Sequence, residues 1–347
     1  MVKVNKYRED VCRTASLPLP WDRLAGKTIL ISGASGLIGT FLIDVLMCGQ
    51  TGVRIVALGR NEEDAKKRFA DYWDLPTFTF IRQDVNDTLA LPEGLSVDYI
   101  LHGASNTHPM AYASDPVGTM TTNLFGTKHL LDAAVQNHCA RVIFLSSVEV
   151  YGENRGDVES FDETYCGYLD CNTLRAGYPE GKRAGEALCQ AYRKAYGLDV
   201  VIARLARSYG PTMRLTDTKA ISQFICKAVA GEDIVLKSAG NQLYSYTYVA
   251  DAVSGILTVL FLGEDGQAYN IADAGSDISL KDLAALIADC VGRKVVFELP
   301  DEQEAAGYSK ATKALMNADK LKKLGWSAGW TMQSGIRRTL EILTGDQ

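Results

Sequence analysis

The stretch that most constrains the fold of this chain is Thr28-Ile29-Leu30-Ile31-Ser32-Gly33-Ala34-Ser35-Gly36-Leu37-Ile38-Gly39. A short run rich in β-branched residues enters a turn with three glycines, and the apolar-periodic Phe41 to Met47 leaves it. Strand, glycine-rich turn and helix in this order open a dinucleotide-binding unit. The glycines permit a tight turn, a close backbone approach to a pyrophosphate, and contact between helix and strand. The helix start adds free N–H groups and the positive end of its dipole. Gly33, Ser35, Gly36, Leu37, Ile38 and Gly39 are therefore candidate cofactor-binding residues.

Strand patterns recur downstream at Arg54 to Leu58, Phe78 to Ile81, Val97 to His102, Arg141 to Leu145 and Asp199 to Arg204. Helical patterns at Thr119 to Asn137 and Pro179 to Tyr196 lie between them. Strands alternating with helices predict an α/β chain with a doubly wound parallel sheet, a Rossmann architecture whose ligands bind at the carboxyl ends of the strands. After Tyr209-Gly210-Pro211 the pattern changes to helices at 221–230, 280–291 and 319–324 with short strands at 234–236 and 295–297. A smaller C-terminal α/β substrate domain is expected there. The expected division is an N-terminal arm over 1–25, a Rossmann domain over 26–206 with 246–271, and a substrate domain over 207–245 and 272–347.

The 347 residues suffice for a large core, and the net charge of −6 leaves no basic surplus for nucleic acid or an anionic membrane. The eight cysteines fall without paired or Cys-x-x-Cys spacing, which predicts reduced thiols in a cytoplasmic protein and no structural metal. Met1 to Asp10 has no apolar core for a signal peptide, and no apolar run is long enough to span a bilayer.

Tyr178-Pro179-Glu180-Gly181-Lys182 places a tyrosine and a lysine four apart, on one face of a helix that Pro179 suits at its first position. A tyrosine with its ordinary pKa of about 10 is a poor base at neutral pH. A nearby ammonium lowers it, so Tyr178 becomes a candidate base for a sugar hydroxyl. Ser146 and Ser147 close the Arg141 strand at the ligand edge, where a hydroxyl can bond the reacting oxygen. NAD sites place an acid about 20 residues past the glycines for the ribose 2′-OH. Here Gly59-Arg60-Asn61 has none, and Arg60 suits a 2′-phosphate, which favours NADP over NAD.

At these residues the chain resembles the extended short-chain dehydrogenases/reductases, specifically the nucleotide-sugar epimerases, dehydratases and decarboxylases. The resemblance runs from about Lys27 to Leu343. It rests on Gly33 to Gly39, Leu101-His102-Gly103-Ala104-Ser105, Asn123 before Gly126-Thr127, and Ser146-Ser147 with Val150-Tyr151-Gly152. Tyr178 with Lys182, Tyr209-Gly210-Pro211 and Tyr248-Val249-Ala250-Asp251 complete it. The resemblance implies that Ser147 is the family's active-site hydroxyl, Tyr178 its base and Lys182 the lysine that orients the cofactor ribose. It implies adenine contacts at Asp84 and Val85, and cofactor contacts at Gly103, Ala104, Ser105 and Asn123. The two helices around Thr119 and Pro179 match those that pair across a homodimer in similar members.

Within the family the chain is most similar to UDP-glucuronate decarboxylases, through Arg175-Ala176-Gly177-Tyr178-Pro179-Glu180-Gly181-Lys182-Arg183 and Glu149. Dehydratases carry an acid just before that glutamate, where this chain has Val148, and a valine donates no proton. Arg207 stands where the family has an asparagine, and Tyr244 where it has an arginine. Arg207 is therefore expected to hold the substrate diphosphate, with Arg214 and Lys219 as alternatives. The expected function is NAD(P)-dependent modification of a nucleoside-diphosphate sugar. Tyr178 takes the C4 hydroxyl proton, and a 4-keto intermediate is decarboxylated or epimerised before reduction. The alternatives are a 4,6-dehydratase, a simple sugar reductase and a non-catalytic dinucleotide sensor.

Overall fold

Strand β1 (Thr28–Ser32) is buried along its whole length, so both faces of its sheet must be covered. The computed structural model describes residues 6–49, 51–107, 109–298 and 312–345. In it β1 is followed by helix α2 (Leu37–Cys48), β2 (Arg54–Gly59), α3 (Glu62–Arg68), β3 (Phe78–Arg82) and β4 (Tyr99–His102). An earlier helix, α1 (Lys6–Ala15), precedes them. Next come α4 (Pro109–Ser114), α5 (Pro116–Gln136), β5 (Arg141–Ser147), α6 (Gly177–Tyr196) and β6 (Val200–Leu205).

These strands form a parallel seven-stranded sheet in the order β10-β6-β5-β4-β1-β2-β3, where β10 is Ala268–Ile271. The order reverses between β1 and β4, the switch point at which doubly wound sheets bind ligands. Alternation sorts the core into two layers. Ile29, Ile31, Ile143 and Val201 face one cluster, while Leu30, Ile100, Val142 and Ile202 face the other. Helix α5 is started by Asp115, whose side chain accepts from the Gly118 N–H at 2.9 Å, and it packs along α6.

The chain then makes β7 (Arg207–Tyr209), α7 (Ala220–Val229), β8 (Ile234–Leu236) and β9 (Leu243–Tyr248). Helix α8 (Val249–Leu262) follows, and its residues 249–261 are all buried, as expected of a helix apolar on every side. After β10 come β11 (Asp277–Ser279), α9 (Leu280–Cys290) and β12 (Val295–Phe297). Strand β9 is the hub of a second sheet with β7, β11 and β13 (Lys313–Ala314), while β8 pairs with β12. This second sheet forms a wall facing the carboxyl ends of the large one.

The N-terminal segment is more than a draped arm. Asp10 on α1 is buried and accepts from the Tyr248 hydroxyl at 2.7 Å and from Arg338 Nη2 at 2.8 Å. Tyr7 donates to Asp44 of α2, and Cys12 Sγ lies 3.2 Å from Cys48 Sγ. The helix thus ties α2 to α8 and to the last helix, Met332–Thr344. The fourth strand is shorter than its apolar pattern suggested, because the Asp98 carboxylate turns to the Thr28 N–H and Lys27.

Candidate active site

A cavity of about 770 Å³ runs along the carboxyl edge of the large sheet, from the glycine turn to the wall of β7 and β9. At one end the glycine turn sits directly on the loop after β4. A Cβ on Gly33, which has φ +71°, would meet the Gly103 carbonyl oxygen at 2.7 Å. A Cβ on Gly39 would lie 2.5 Å from the Gly33 oxygen. These contacts hold α2 with its N-terminus open to the cavity at Gly36. Ser35, Gly36, Leu37, Ile38, Arg60, Asp84, Val85, Gly103, Ala104 and Ser105 all line this end. A backbone cradle, a helix start and a long slot beside them fit a dinucleotide.

Asn123 does not line the cavity. It is buried, accepts from the Ser105 hydroxyl at 2.9 Å and donates to the Thr119 carbonyl at 2.8 Å, so it reaches the site only through Ser105. Asp84 accepts from the Asn86 backbone and side chain at 2.9 Å, and Arg60 Nη1 stands 3.7 Å from its other oxygen. His102 is held between Ser32 at 2.8 Å and Thr127 at 3.1 Å. Burial drops its pKa to about 3, so it is a neutral strut.

In the middle of the cavity the two serines part company, as alternation along a strand requires. Ser146 also borders the cavity, but its hydroxyl is taken up by Glu186, to which it donates at 2.6 Å. Ser147 lines the cavity, receives the Glu149 N–H at 3.2 Å and lies beside Tyr178, whose ionised form it favours. Helix α6 starts at Gly177, two residues before the expected first position at Pro179, so Pro179 lies inside the first turn, where its missing N–H costs nothing.

Lys182 donates to the Leu145 carbonyl at 2.8 Å and sits 6.0 Å from the centre of the Tyr178 ring. Burial lowers its pKa to about 8. Burial also pushes Tyr178 up to about 12, with Ser147 and Arg175 pulling it down and Glu149 pushing it up. The lowering of Tyr178 by the Lys182 ammonium, expected from the sequence, is not among the influences on Tyr178 here, which desolvation of the phenolate dominates.

At the other end, Glu149 stands between two arginines, with Arg175 Nη2 at 2.8 Å and Arg207 Nη2 at 3.8 Å. Each guanidinium lies on a tyrosine face, Arg175 4.8 Å from the Tyr112 ring centre and Arg207 3.6 Å from that of Tyr244. Tyr112 in turn stacks on Tyr178 with ring centres 5.0 Å apart. Arg207 therefore stands beside Glu149, at the end of the cavity away from the glycine turn. The β7–β9 pairing, with Arg207 opposite Tyr246, lays its side chain toward the nearby Tyr244.

Arg214 bonds Ser35 at 3.0 Å and Asp64 at 2.9 Å, at the glycine turn. Lys219 Nζ bonds Asp217 at 2.9 Å and Thr107 at 3.4 Å, between the two ends. Sequence reasoning gave no role to Arg175 or Tyr112. Arg175 stood three residues before Tyr178 in a recognised segment, whereas Tyr112 carried no local signal.

A model of the NAD dependent epimerase/dehydratase family matches residues 29–272. UDP-glucuronic acid decarboxylase 6 of Arabidopsis thaliana is 34% identical over 326 residues, covering 92% of this chain and 88% of the relative. UDP-glucuronic acid decarboxylase 1 of Xenopus tropicalis is 32% identical over 315 residues, covering 90% of this chain and 71% of the relative. Among solved structures, a dTDP-glucose 4,6-dehydratase from Streptomyces venezuelae with NAD bound superposes with a TM-score of 0.78. It is 25% identical, with 91% of this chain and 96% of that one covered.

Proposed function

The chain belongs to the NAD dependent epimerase/dehydratase family, and on that premise we propose that it decarboxylates a nucleoside-diphosphate-linked hexuronic acid through a 4-keto intermediate. That it modifies nucleotide sugars with NAD follows from its decarboxylase relatives and its NAD-bound neighbour. The choice of an acidic sugar is supported above all by one observation. Glu149 is shared by Arg175 and Arg207, so the sugar end of the cavity holds one uncompensated positive charge. A buried charge of that kind asks for an anion.

Bound NAD supplies a hydride acceptor and later a donor. Tyr178, aligned by Ser147 and backed by Lys182, takes the C4 hydroxyl proton as the ketone forms. The ketone is β to the carboxylate, so the electrons of the bond to CO2 pass into the carbonyl as that bond breaks. Tyr178 then stabilises the enolate oxygen as a proton donor. Water loss is disfavoured, because Val148 is buried and brings no acid to the leaving hydroxyl. The test is incubation of the purified enzyme with UDP-glucuronate and NAD, followed by mass spectrometry. Loss of CO2 supports the reading, while an isomer of unchanged mass favours epimerisation.

NADP remains an alternative through the exposed Arg60. The proposal also includes a homodimer through α5 and α6, where Phe125 and Val117 are exposed; a monomer by light scattering would contradict it. It includes a reducing, cytoplasmic setting, supported by eight unbridged cysteines. Among the described residues no helix is long and apolar enough to cross a membrane.

A further inference from the structure

We propose that Arg207, laid on the ring of Tyr244, is the residue that selects an acidic sugar over a neutral one, with Tyr244 as its platform. The inference rests on the hexuronate reading given above and assigns that specificity to two residues. On β9, Tyr244 and Tyr246 point to the same face, and Arg207 is in register with Tyr246. Arg207 therefore leans diagonally across to the neighbouring ring, 3.6 Å from its centre. Cation–π contact fixes the plane of the guanidinium without using its N–H groups.

Nη1 of Arg207 is buried with no hydrogen-bond partner, as are Nε and Nη1 of Arg175, and what separates the two arginines is their hold on Glu149, from which Arg207 Nη2 stands 3.8 Å. Arg175 holds the same glutamate a full ångström closer. Of the two cations sharing one carboxylate, Arg207 is thus the weakly compensated one. The other candidate cations are committed elsewhere: Arg214 to Ser35 and Asp64, Lys219 to Asp217 and Thr107. A carboxylate on the sugar completes the charge balance of Arg207; a hydroxymethyl group does not.

Calorimetry on the purified protein with NAD, titrated with UDP-glucuronate, UDP-glucose and UDP, tests the proposal. The wild type should bind UDP-glucuronate more tightly than UDP-glucose. Arg207→Gln should weaken UDP-glucuronate by about 10- to 100-fold, the range of a lost charged hydrogen bond, and leave UDP-glucose and UDP unchanged. Tyr244→Leu should show the same selective loss in smaller measure, and Tyr244→Phe should restore wild-type selectivity. Equal loss for all three ligands in Arg207→Gln would return Arg207 to the diphosphate and overturn the proposal. So would an unchanged UDP-glucuronate affinity. If the wild type binds no nucleotide sugar, the functional reading itself fails, an outcome separate from loss of selectivity in the variants.

Discussion

The two ends of the cavity are built from different materials. The dinucleotide end is built around backbone: three glycines, a helix start and the loop after β4, with Arg60 and Asp84 beside them. The sugar end is made of side chains, two arginines on two tyrosines around one glutamate, contributed by α4, β7, β9 and the turns between β5 and α6. A backbone site leaves little room for added atoms where the chain packs on itself, as at Gly33 and Gly39. A side-chain site can be rewritten by single substitutions, as the arginine at 207 and the tyrosine at 244 illustrate.

The largest expected effect lies where the two ends meet. Tyr178→Phe keeps the buried ring and its stacking on Tyr112 but removes the hydroxyl beside Ser147. Turnover should fall by about 10²–10⁴-fold, the usual worth of a positioned acid–base group. Calorimetry should show dinucleotide and nucleotide-sugar binding little changed. Near-normal turnover would remove Tyr178 from the proton transfer.

A next-largest effect is expected from Gly39→Ala, where the new Cβ meets backbone oxygens at 2.5 and 2.6 Å that cannot swing aside. Overpacking of this kind costs about 1–3 kcal/mol, so the melting temperature should drop and NAD binding weaken together. At Gly36 the same substitution meets only one oxygen, at 3.2 Å. Gly36→Ala should leave the melting temperature close to wild type while it weakens NAD, because its Cβ enters the slot. Equal melting losses in the two variants would undo the contrast.

This difference between the ends also decided what the sequence could disclose. The glycine turn is local: strand, turn and helix follow one another in about 20 residues, and nothing distant is needed to read them. Six strands of the seven-stranded sheet were legible for the same reason, since strands buried on both faces are continuously apolar, while β10 was not read as a strand. The direction of Arg207 was not, because it depends on the register of β7 against β9, which lies well downstream. The choice of Ser147 over Ser146 came from the family resemblance, and alternation along β5 accounts for the Ser146 hydroxyl bonding Glu186 instead. Helix α1 escaped detection because ten residues hold a helix only through partners, here Asp44, Tyr248 and Arg338, all far along the chain.

A smaller, pH-dependent effect sharpens the comparison at the junction. Lys182 titrates at about 8 because burial disfavours its charge. Removing that charge makes the Tyr178 phenolate harder to form, so Lys182→Met should move the rising limb of the rate profile to higher pH. The lysine gives up its own proton above about pH 8, so the electrostatic part of the deficit should shrink there. For every pH unit by which the tyrosine's titration moves, the rate on the rising limb should change about tenfold. A deficit independent of pH would mean that Lys182 acts only by holding the cofactor ribose.

The smallest effect belongs to the one side chain at the dinucleotide end that behaves like those at the sugar end. Arg60 follows the last residue of β2, with 69% of its side chain exposed and Nη1 3.7 Å from Asp84. A 2′-phosphate there would have to draw the guanidinium from Asp84 and accept that carboxylate as a neighbour. Exposure and screening hold such a pair to about 0.2–1 kcal/mol, a factor of a few in affinity. Arg60→Ala should therefore weaken NADP by no more than several-fold and leave NAD unchanged, read by titration calorimetry. Asp84→Asn should act in the opposite direction and improve NADP, because it removes the competing negative charge. Parallel changes for both dinucleotides in Arg60→Ala would mean that the arginine only steadies Asp84 at the adenine, and the selectivity would then have to come from backbone after all.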